Sequence, residues 1–380
     1  MDNIALIVGG DHHNGLNLAR ALGVNGVIVH AFVVCDFRKS FISKSKYIKK
    51  TTICKSDSEA FDKILQLYTG LSIKPVIFPY SDSAAFELDS RLNAFKDDFI
   101  VPSINGEQGR IAEMMDKQKQ YEFAKAHNIN IAESASISLV ENTGEESCVG
   151  YPCILKPIVS ANGKKSDISI CNDKGSYVKR INELRNLGYT TLLIQEYLKI
   201  DYEIDVVVAF LNCDKTIFLA NKIIRRWPHA GGTTSFSTTI CDSRILKQCE
   251  SILEHIRNIR YFGLADVEFF LIDGTIYLNE INWRNSGGGH RSFSSGFFYP
   301  FWYMQNAVGE ENGGVNWKPY ENEYAMTEYT DIRNVVKHYI SFSEWMKDKR
   351  KTKNLALKFK GDMKPCYNFY FYRIIRKIFK

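Results

Sequence analysis

Glu268, Glu280 and Asn282 flank an Asp273-Gly274 pair, the strongest short hairpin signal in the chain. Side chains alternate faces along a strand, so Glu280 and Asn282 share one. A two-residue loop at Asp273-Gly274 sends Glu268 to the opposite face. A three-residue loop, Ile272-Asp273-Gly274 with Gly274 left-handed, puts all three on one face, and this is the loop we expect. Oxygen donors flanked by Val267, Phe269, Leu278 and Ile281 are costly to bury without a cation. Hard oxygen ligands suit Mg²⁺. A wet strand carrying hydrated carboxylates is the plainer alternative.

Two lysines precede this hairpin. Lys156 ends the apolar run Tyr151-Pro152-Cys153-Ile154-Leu155 and stands before Pro157; such a lysine either snorkels or is aimed at a phosphate. Lys117 follows Asp116 in the first turn of a polar helix, where a cation opposes the helix dipole unless an anion is bound. Each alone reads as a surface residue; together with the carboxylates they read as phosphate contacts. Gln195-Glu196-Tyr197-Leu198 closes another apolar run, and Glu203 follows. Free backbone groups at such a junction can read an adenine edge, and a nearby carboxylate can accept from ribose hydroxyls; a linker with surface acids is the alternative. Arg225, Arg226, Arg284, His290 and Arg291 add positive charge, which suits an acceptor bearing a carboxylate. The loop Arg225–Thr234, with its Pro and two Gly, reads as mobile. Gly287-Gly288-Gly289 would let backbone amides approach an anion, or serve as a loose linker.

The elements that must position these groups alternate. Strands at Ile4–Val8, Val27–Val34 and Pro75–Pro79, with helices after Gly15 and from Ala84 to Phe95, imply parallel βαβ units over roughly residues 1–105. The Gly9-Gly10 turn lacks the G-x-G-x-x-G spacing of a dinucleotide site, which disfavours an NAD-dependent oxidoreductase. Strands at 148–156, 192–195, 205–210, 217–224, 264–272 and 275–282, with helices at 117–127 and 243–260, complete the pattern. With 380 residues, 45% hydrophobic and 24% charged, the composition is that of a globular protein rather than a disordered or fibrous one. No uncharged apolar run reaches the ~18–20 residues that span a bilayer. The N-terminus carries no basic n-region or small-residue cleavage site, and the nine cysteines form no C-x-x-C pair, so a cytoplasmic setting is expected.

The charge is unevenly spread. Residues 345–380 hold 12 Lys/Arg against 2 acids, and the remainder holds 37 against 41. A nucleic-acid groove along the body is not expected. The tail interleaves its charge with Phe359, Tyr367, Phe369, Tyr370, Phe371, Tyr372 and Phe379, a mixture able to lie on an anionic membrane. A helix docked on the body is the alternative.

The order Asp116-Lys117, Ile154-Leu155-Lys156-Pro157, Gln195 to Leu198, Glu203, Glu268, Glu280, Asn282 and Arg284 resembles the ATP-grasp superfamily. The 12-residue step from Glu268 to Glu280 looks most like the biotin carboxylase and carbamoyl-phosphate synthetase branch. The resemblance implies an α/β architecture: a Rossmann-like preATP-grasp lobe (1–113), a small α+β lid lobe (114–196), a larger α+β C-terminal lobe (197–310) and a helical basic-aromatic tail (311–380). It implies that Lys117 and Lys156, with Lys222 as a weaker candidate, contact ATP phosphates. Gln195, Glu196 and Leu198 would line the adenine and Glu203 the ribose. Glu268, Glu280 and Asn282 would hold Mg²⁺, with Mn²⁺ as a substitute. Arg284 would face the transferred phosphoryl or the acceptor carboxylate, and Arg226 would join it at the acceptor. The implied activity is a carboxylate–amine ligase acting through an acyl phosphate on small-molecule substrates, with an amino acid or uronic-type sugar as acceptor. An ATP-binding regulatory protein without turnover is the alternative. A homodimer is compatible with this reading. Contact of the tail with the inner face of the membrane would suit cell-surface polysaccharide or peptide biosynthesis. Two departures touch the resemblance: the lid loop Ile158–Lys165 has one glycine where relatives carry several, and Trp283 stands where many have proline.

Overall fold

The computed structural model describes residues 2–36, 40–140, 147–156, 167–211, 215–229, 232–291, 293–310, 317 and 319–378, with side chains up to Tyr372. The expected lid loop 158–165 and the Ala230-Gly231 turn lie outside the described residues.

The chain opens with β1 (Ile4–Gly10), α1 (His13–Gly23), β2 (Ile28–Val34), β3 (Ile48–Cys54), α2 (Asp57–Tyr68), β4 (Val76–Pro79) and α3 (Asp82–Ser90). The strands form a parallel sheet in the order β3-β2-β1-β4. Helices cover both faces, so β1 is a continuous apolar run. Ala5 and Ile7 pack with Leu16 and Leu22 of α1, while Leu6 and Val8 pack with Phe61 of α2 and Leu88 of α3. The order reverses at β1/β4, and the crevice beyond the carboxyl ends of such strands is where open α/β sheets take ligands. Asp11 to Asn14 and Ser81-Asp82 follow those two strand ends. β3 shows no apolar alternation because it reads Ile-Lys-Lys-Thr-Thr-Ile-Cys, with only its ends apolar.

Next come β5 (Ser103–Ile104), α4 (Arg110–Met114) and α5 (Lys117–Ala126). An antiparallel sheet follows, built from β6 (Ser134–Ser138), β7 (Cys153–Lys156), β8 (Ser169–Cys171) and, after α6 (Lys174–Asn186), β9 (Thr191–Glu196). Its order is β6-β9-β7-β8. Tyr177, Ile181 and Leu184 of α6 cover Leu155, Leu192 and Ile194. A larger sheet contains β10 (Tyr202–Leu211), β11 (Lys215–Trp227), β12 (Thr233–Thr239) and, after α7 (Ser243–Asn258), β13 (Tyr261–Ile272) and β14 (Thr275–Asn282). The chain ends with α8 (Tyr299–Ala307), β15 (Tyr324–Met326), α9 (Glu328–Val336), α10 (Phe342–Lys351), β16 (Asn354–Leu355) and α11 (Lys364–Ile378). The strand order is β14-β13-β10-β11-β12-β15-β16, with β5 on β13.

The chain divides into two compact units. The first holds Met1–Ala112, Asp205–Asp266 and Asn282–Lys380; the second holds Glu113–Ile204 and Val267–Ile281. The described part of the expected helical tail, 319–378, also contains strands of the larger sheet: β15 pairs with β12 and β16 with β15. Arg20 and Asp362 make a buried ion pair at 3.0 Å, and Trp345, Leu357 and Cys366 are buried. The density of lysines hides these inward residues from a composition count. Arg225 and Arg226 likewise lie within β11, paired with β12, rather than in a mobile loop.

Candidate active site

β13 ends at Ile272 and β14 begins at Thr275, with Asp273 (φ 47°) and Gly274 (φ 78°) both left-handed. That is a two-residue type I′ turn, not the expected three-residue loop. Aspartate tolerates this conformation, and the Asp273 N–H donates to Asp201 Oδ2 at 2.9 Å. On a regular ladder this turn would separate Glu268 from Glu280. Instead the alternation of β14 slips by one: Ile276, Leu278 and then Ile281 are buried, leaving Asn279 and Glu280 consecutively outward. Asn279 donates its side-chain amide to Glu268 Oε2 at 3.3 Å, so Glu268 lies on the outward face that Glu280 also joins. The second unit holds the slip in place. The Gln120 amide of α5 accepts from the Ile281 N–H at 2.8 Å and donates to the Ile281 C=O at 2.9 Å, replacing a neighbouring strand. The Leu278 N–H donates to the Asn130 carbonyl at 2.7 Å.

The lysines meet these carboxylates within the same unit. Asp116 caps α5, accepting from the N–H groups of Gln118 and Lys119, which leaves Lys117 at the first helical position. Its ammonium lies 3.8 Å from Glu280 Oε1. Lys156 closes β7, opposite Leu193 of β9, and donates to Gln195 Oε1 at 2.8 Å. Burial first, and then Lys117, bring the Lys156 pKa down to about 7 against the pull of Glu280 and Glu268. A desolvated lysine beside a second cation favours an anion such as a phosphate. Two hard carboxylates on one face and two lysines are a donor set that fits a divalent cation carrying polyphosphate. Among the described residues no three His, Cys, Asp or Glu side chains gather as a metal cage.

Gln195, expected beside adenine, turns its side chain toward Lys156. Its side chain is buried, and its amide nitrogen donates to Ser134 Oγ at 3.1 Å while its oxygen holds Lys156. Glu196 ends β9, with its N–H on the Glu133 carbonyl at 2.8 Å. Tyr197 is exposed and Leu198 half-buried in the irregular stretch that follows, and Glu203 is half-buried near the start of β10.

Asn282, Arg284, Arg226 and Lys222 belong to the first unit. There Arg225, Arg284 and Arg291 are each paired with acids. Arg284 reaches Asp82 at 3.0 Å and Asp266 at 3.2 Å. Arg291 pairs with Asp205 at 2.7 Å. Burial would raise the Asp205 carboxyl, but Arg291, a hydrogen bond from Asp266 and Arg284 together hold it below the ordinary value. Arg225 is gripped by Asp331 and Asp348 and stacks over Phe236. Arg226 donates to the Gly232 carbonyl at 2.7 Å, and Lys222 lies opposite Thr238. Burial and the Arg291 charge push His290 down to about 3, so it adds no charge at neutral pH. Sequence counts Arg225, Arg284 and Arg291 without the carboxylate partners that the fold brings to them.

The glycine run also serves a different purpose. A Cβ on Gly288 would stand 2.4 Å from the Arg291 guanidinium carbon, and the Gly288 N–H is taken by Ser286 Oγ at 2.9 Å. Gly288 thus leaves room for Arg291 to fold back toward Asp205. Asn14 and Asn285 fix this segment against the ends of β1 and β4. The Asn14 amide donates to the carbonyls of Tyr80 and Asn285 at 2.7 and 2.9 Å, and the Asn285 amide donates to Asn14 Oδ1 at 2.6 Å. Trp283, the residue replacing proline, is fully buried edge-on to Tyr261. Asn14, Gln120 and Asp266 are read from sequence only as polar residues.

A family model described as the ATP-grasp domain matches residues 122–297. Among curated proteins, a formate-dependent phosphoribosylglycinamide formyltransferase from Wolinella succinogenes is 23% identical over 170 residues, 44% of this chain and 40% of that one. The chain thus spans about two-fifths of that relative's length. Among solved structures, N5-carboxyaminoimidazole synthetase from Staphylococcus aureus is similar with a TM-score of 0.66 at 16% identity, covering 90% of this chain and 86% of that one. The biotin carboxylase β,γ-ATP complex from Campylobacter jejuni gives 0.62 at 17% identity, with 84% and 74% covered. At these identities the structural likeness is one of fold.

Proposed function

From the premise that residues 122–297 make this an ATP-grasp protein, we propose that the chain is an ATP-dependent carboxylate–amine ligase. A carboxylate oxygen attacks the γ-phosphorus of ATP, the bond to ADP breaks, and an acyl phosphate forms. An amine nitrogen then attacks the acyl carbon, phosphate leaves, and the nitrogen gives up a proton. The observation that carries this reading is the convergence of Lys117, Lys156, Glu268 and Glu280 on one face of the second unit.

Glu268 and Glu280, with Asn282 continuing β14, would hold Mg²⁺, which neutralises charge on the transferred phosphoryl when bound. Lys156 and Lys117 bind phosphate oxygens, and Gln195 orients Lys156 rather than touching the base. Glu196 and Leu198 border the adenine, and Glu203 meets the ribose. Arg284 and Arg226 serve the acceptor side, where catalysis consists of positioning and charge stabilisation. With Arg284 already shared by Asp82 and Asp266, an acceptor carboxylate must displace one of them, whereas an amine can be received by the acids directly. The curated relative is named for formate and a formyl transfer, which agrees with a carboxylate partner.

The test is ADP release from the full chain with Mg-ATP, screened over amino acids, uronic acids and simple amines. Stimulation by a carboxylate–amine pair supports the reading. ATP binding with no stimulated ADP release favours a nucleotide-binding protein without turnover.

A further inference from the structure

The outward face of α11 is not used by the proposed chemistry. Cys366 is buried and Phe369 packs on Phe41 and Tyr329 with ring centroids 5.1 and 4.6 Å apart, so one face of the helix is docked. On the other side Tyr367, Tyr370 and Phe371 are 66%, 41% and 57% exposed, at the spacing of one helical stripe. Large aromatic residues so exposed together mark an interaction surface.

Among the described residues, the exposed charged side chains of 41–46 and 358–364 are all lysines. Lys358 and Lys360 are exposed on the segment leading into α11, and Lys364 is exposed at its first residue. Lys44 and Lys46 are exposed on the neighbouring turn; its Ile42–Lys44 helix packs on α11, and the Lys46 ammonium lies near Gly361. The acids of this region are turned inward. Asp362 pairs with Arg20 and accepts from Ser45 at 2.8 Å. Glu328 caps the backbone N–H groups of Ala356, Leu357 and Lys358, and Asp11 accepts from Ser40, Phe41 and Ile42. Beyond Phe371 the sequence continues Tyr-Arg-Ile-Ile-Arg-Lys-Ile-Phe-Lys, again aliphatic and cationic with no acid.

We propose that this face of α11 docks the full chain onto the surface of an anionic phospholipid bilayer, with Tyr367, Tyr370 and Phe371 at the headgroup level and the lysines against lipid phosphates. Tyrosine belongs at that boundary because its ring is apolar and its hydroxyl wet. A helix fixed to the body by one face and presenting aromatics and cations on the other is an interfacial rather than a spanning element. No described helix is long and apolar enough to cross a membrane. The proposal stands whether or not the ligase reading does.

The test is cosedimentation of the full chain with vesicles of phosphatidylcholine alone and with about 30% phosphatidylglycerol, at 0.1 M salt. Binding to the anionic vesicles only is expected. A basic residue contributes about fivefold at such a surface, so the Lys358→Gln/Lys360→Gln/Lys364→Gln variant should bind about a hundredfold more weakly. The Tyr367→Ser/Tyr370→Ser/Phe371→Ser variant should lose binding as well. Both variants change exposed side chains, and an unchanged melting temperature checks their folding. Three results would overturn the proposal: equal sedimentation with neutral vesicles, no sedimentation with anionic ones, or binding indifferent to the aromatic substitutions. The last would indicate a general polyanion site, which heparin competition would identify.

Discussion

Lys156 gives a sharp prediction because its charge is marginal near neutral pH. Burial, followed by Lys117, sets its pKa at about 7, with Glu280 and Glu268 opposing. In the free protein the amine is half-charged at pH 7, and about one in eleven is charged at pH 8. If the charged form holds a nucleotide phosphate, the apparent Kd for ADP should be level below pH 6 and rise about tenfold per unit above pH 7. The rise stops only at the higher pKa of the complex. Titrations of ADP in the presence of a chelator, from pH 6 to 9, isolate the lysine from any metal. Lys156→Met should bind weakly with a flat profile. Glu280→Gln removes one of the groups that favours the charged lysine, so its rise should begin at lower pH. The same shift has a stability sign. An unfolded lysine titrates near ~10.4, so the unfolded chain binds more protons between the two values, and stability rises with pH across that window. A flat wild-type profile, or a slope that survives in Lys156→Met, would refute the reasoning.

Three further outcomes follow from the geometry. Glu280→Gln should lower ADP release by about a hundredfold or more, the several kcal/mol expected of a lost metal contact. Its melting temperature should stay within about 2 °C, since only one end of a partly exposed ion pair is lost; undiminished turnover would reject the metal role. Gln120→Leu leaves the Ile281 N–H and C=O without their partners, at about 1–3 kcal/mol. Amide exchange at Ile281 should quicken roughly tenfold or more, together with a loss of ADP release. His290, held near 3 by burial and Arg291, is neutral when folded but charged when unfolded at mild acid. Stability therefore falls as pH drops from about 6.5 toward 3, by about 2 kcal/mol between pH 6.5 and 4.5 if this residue acts alone. Urea unfolding of the wild type and His290→Gln at those two pH values should differ by that amount.

Much of the arrangement was legible because it rests on local rules. The apolar run of β1, the Asp116 cap and the Asp273-Gly274 turn each announce an element within a few residues. What failed was long-range. The common face of Glu268 and Glu280 was anticipated for the wrong reason, since it arises from a slip in β14 that Gln120 stabilises from 161 residues away. Arg284 and Arg291 looked like spare charge, yet Asp82, Asp205 and Asp266 match them across the fold. Gln195 sat at the expected position with its side chain turned to Lys156. The burial of Asp362 and Trp345 could not be inferred from a segment whose composition is dominated by exposed lysines.

The central claim is that Glu268 and Glu280 grip one divalent cation between themselves and a nucleotide phosphate. Crystals grown with Mn²⁺ and a non-hydrolysable ATP analogue test this through the anomalous signal of the metal. The account predicts a peak within about 2.3 Å of a carboxylate oxygen from each residue, with the Lys156 amine on the nucleotide phosphates. A nucleotide bound with no metal peak at these carboxylates, or with the two side chains turned to different faces, would contradict it.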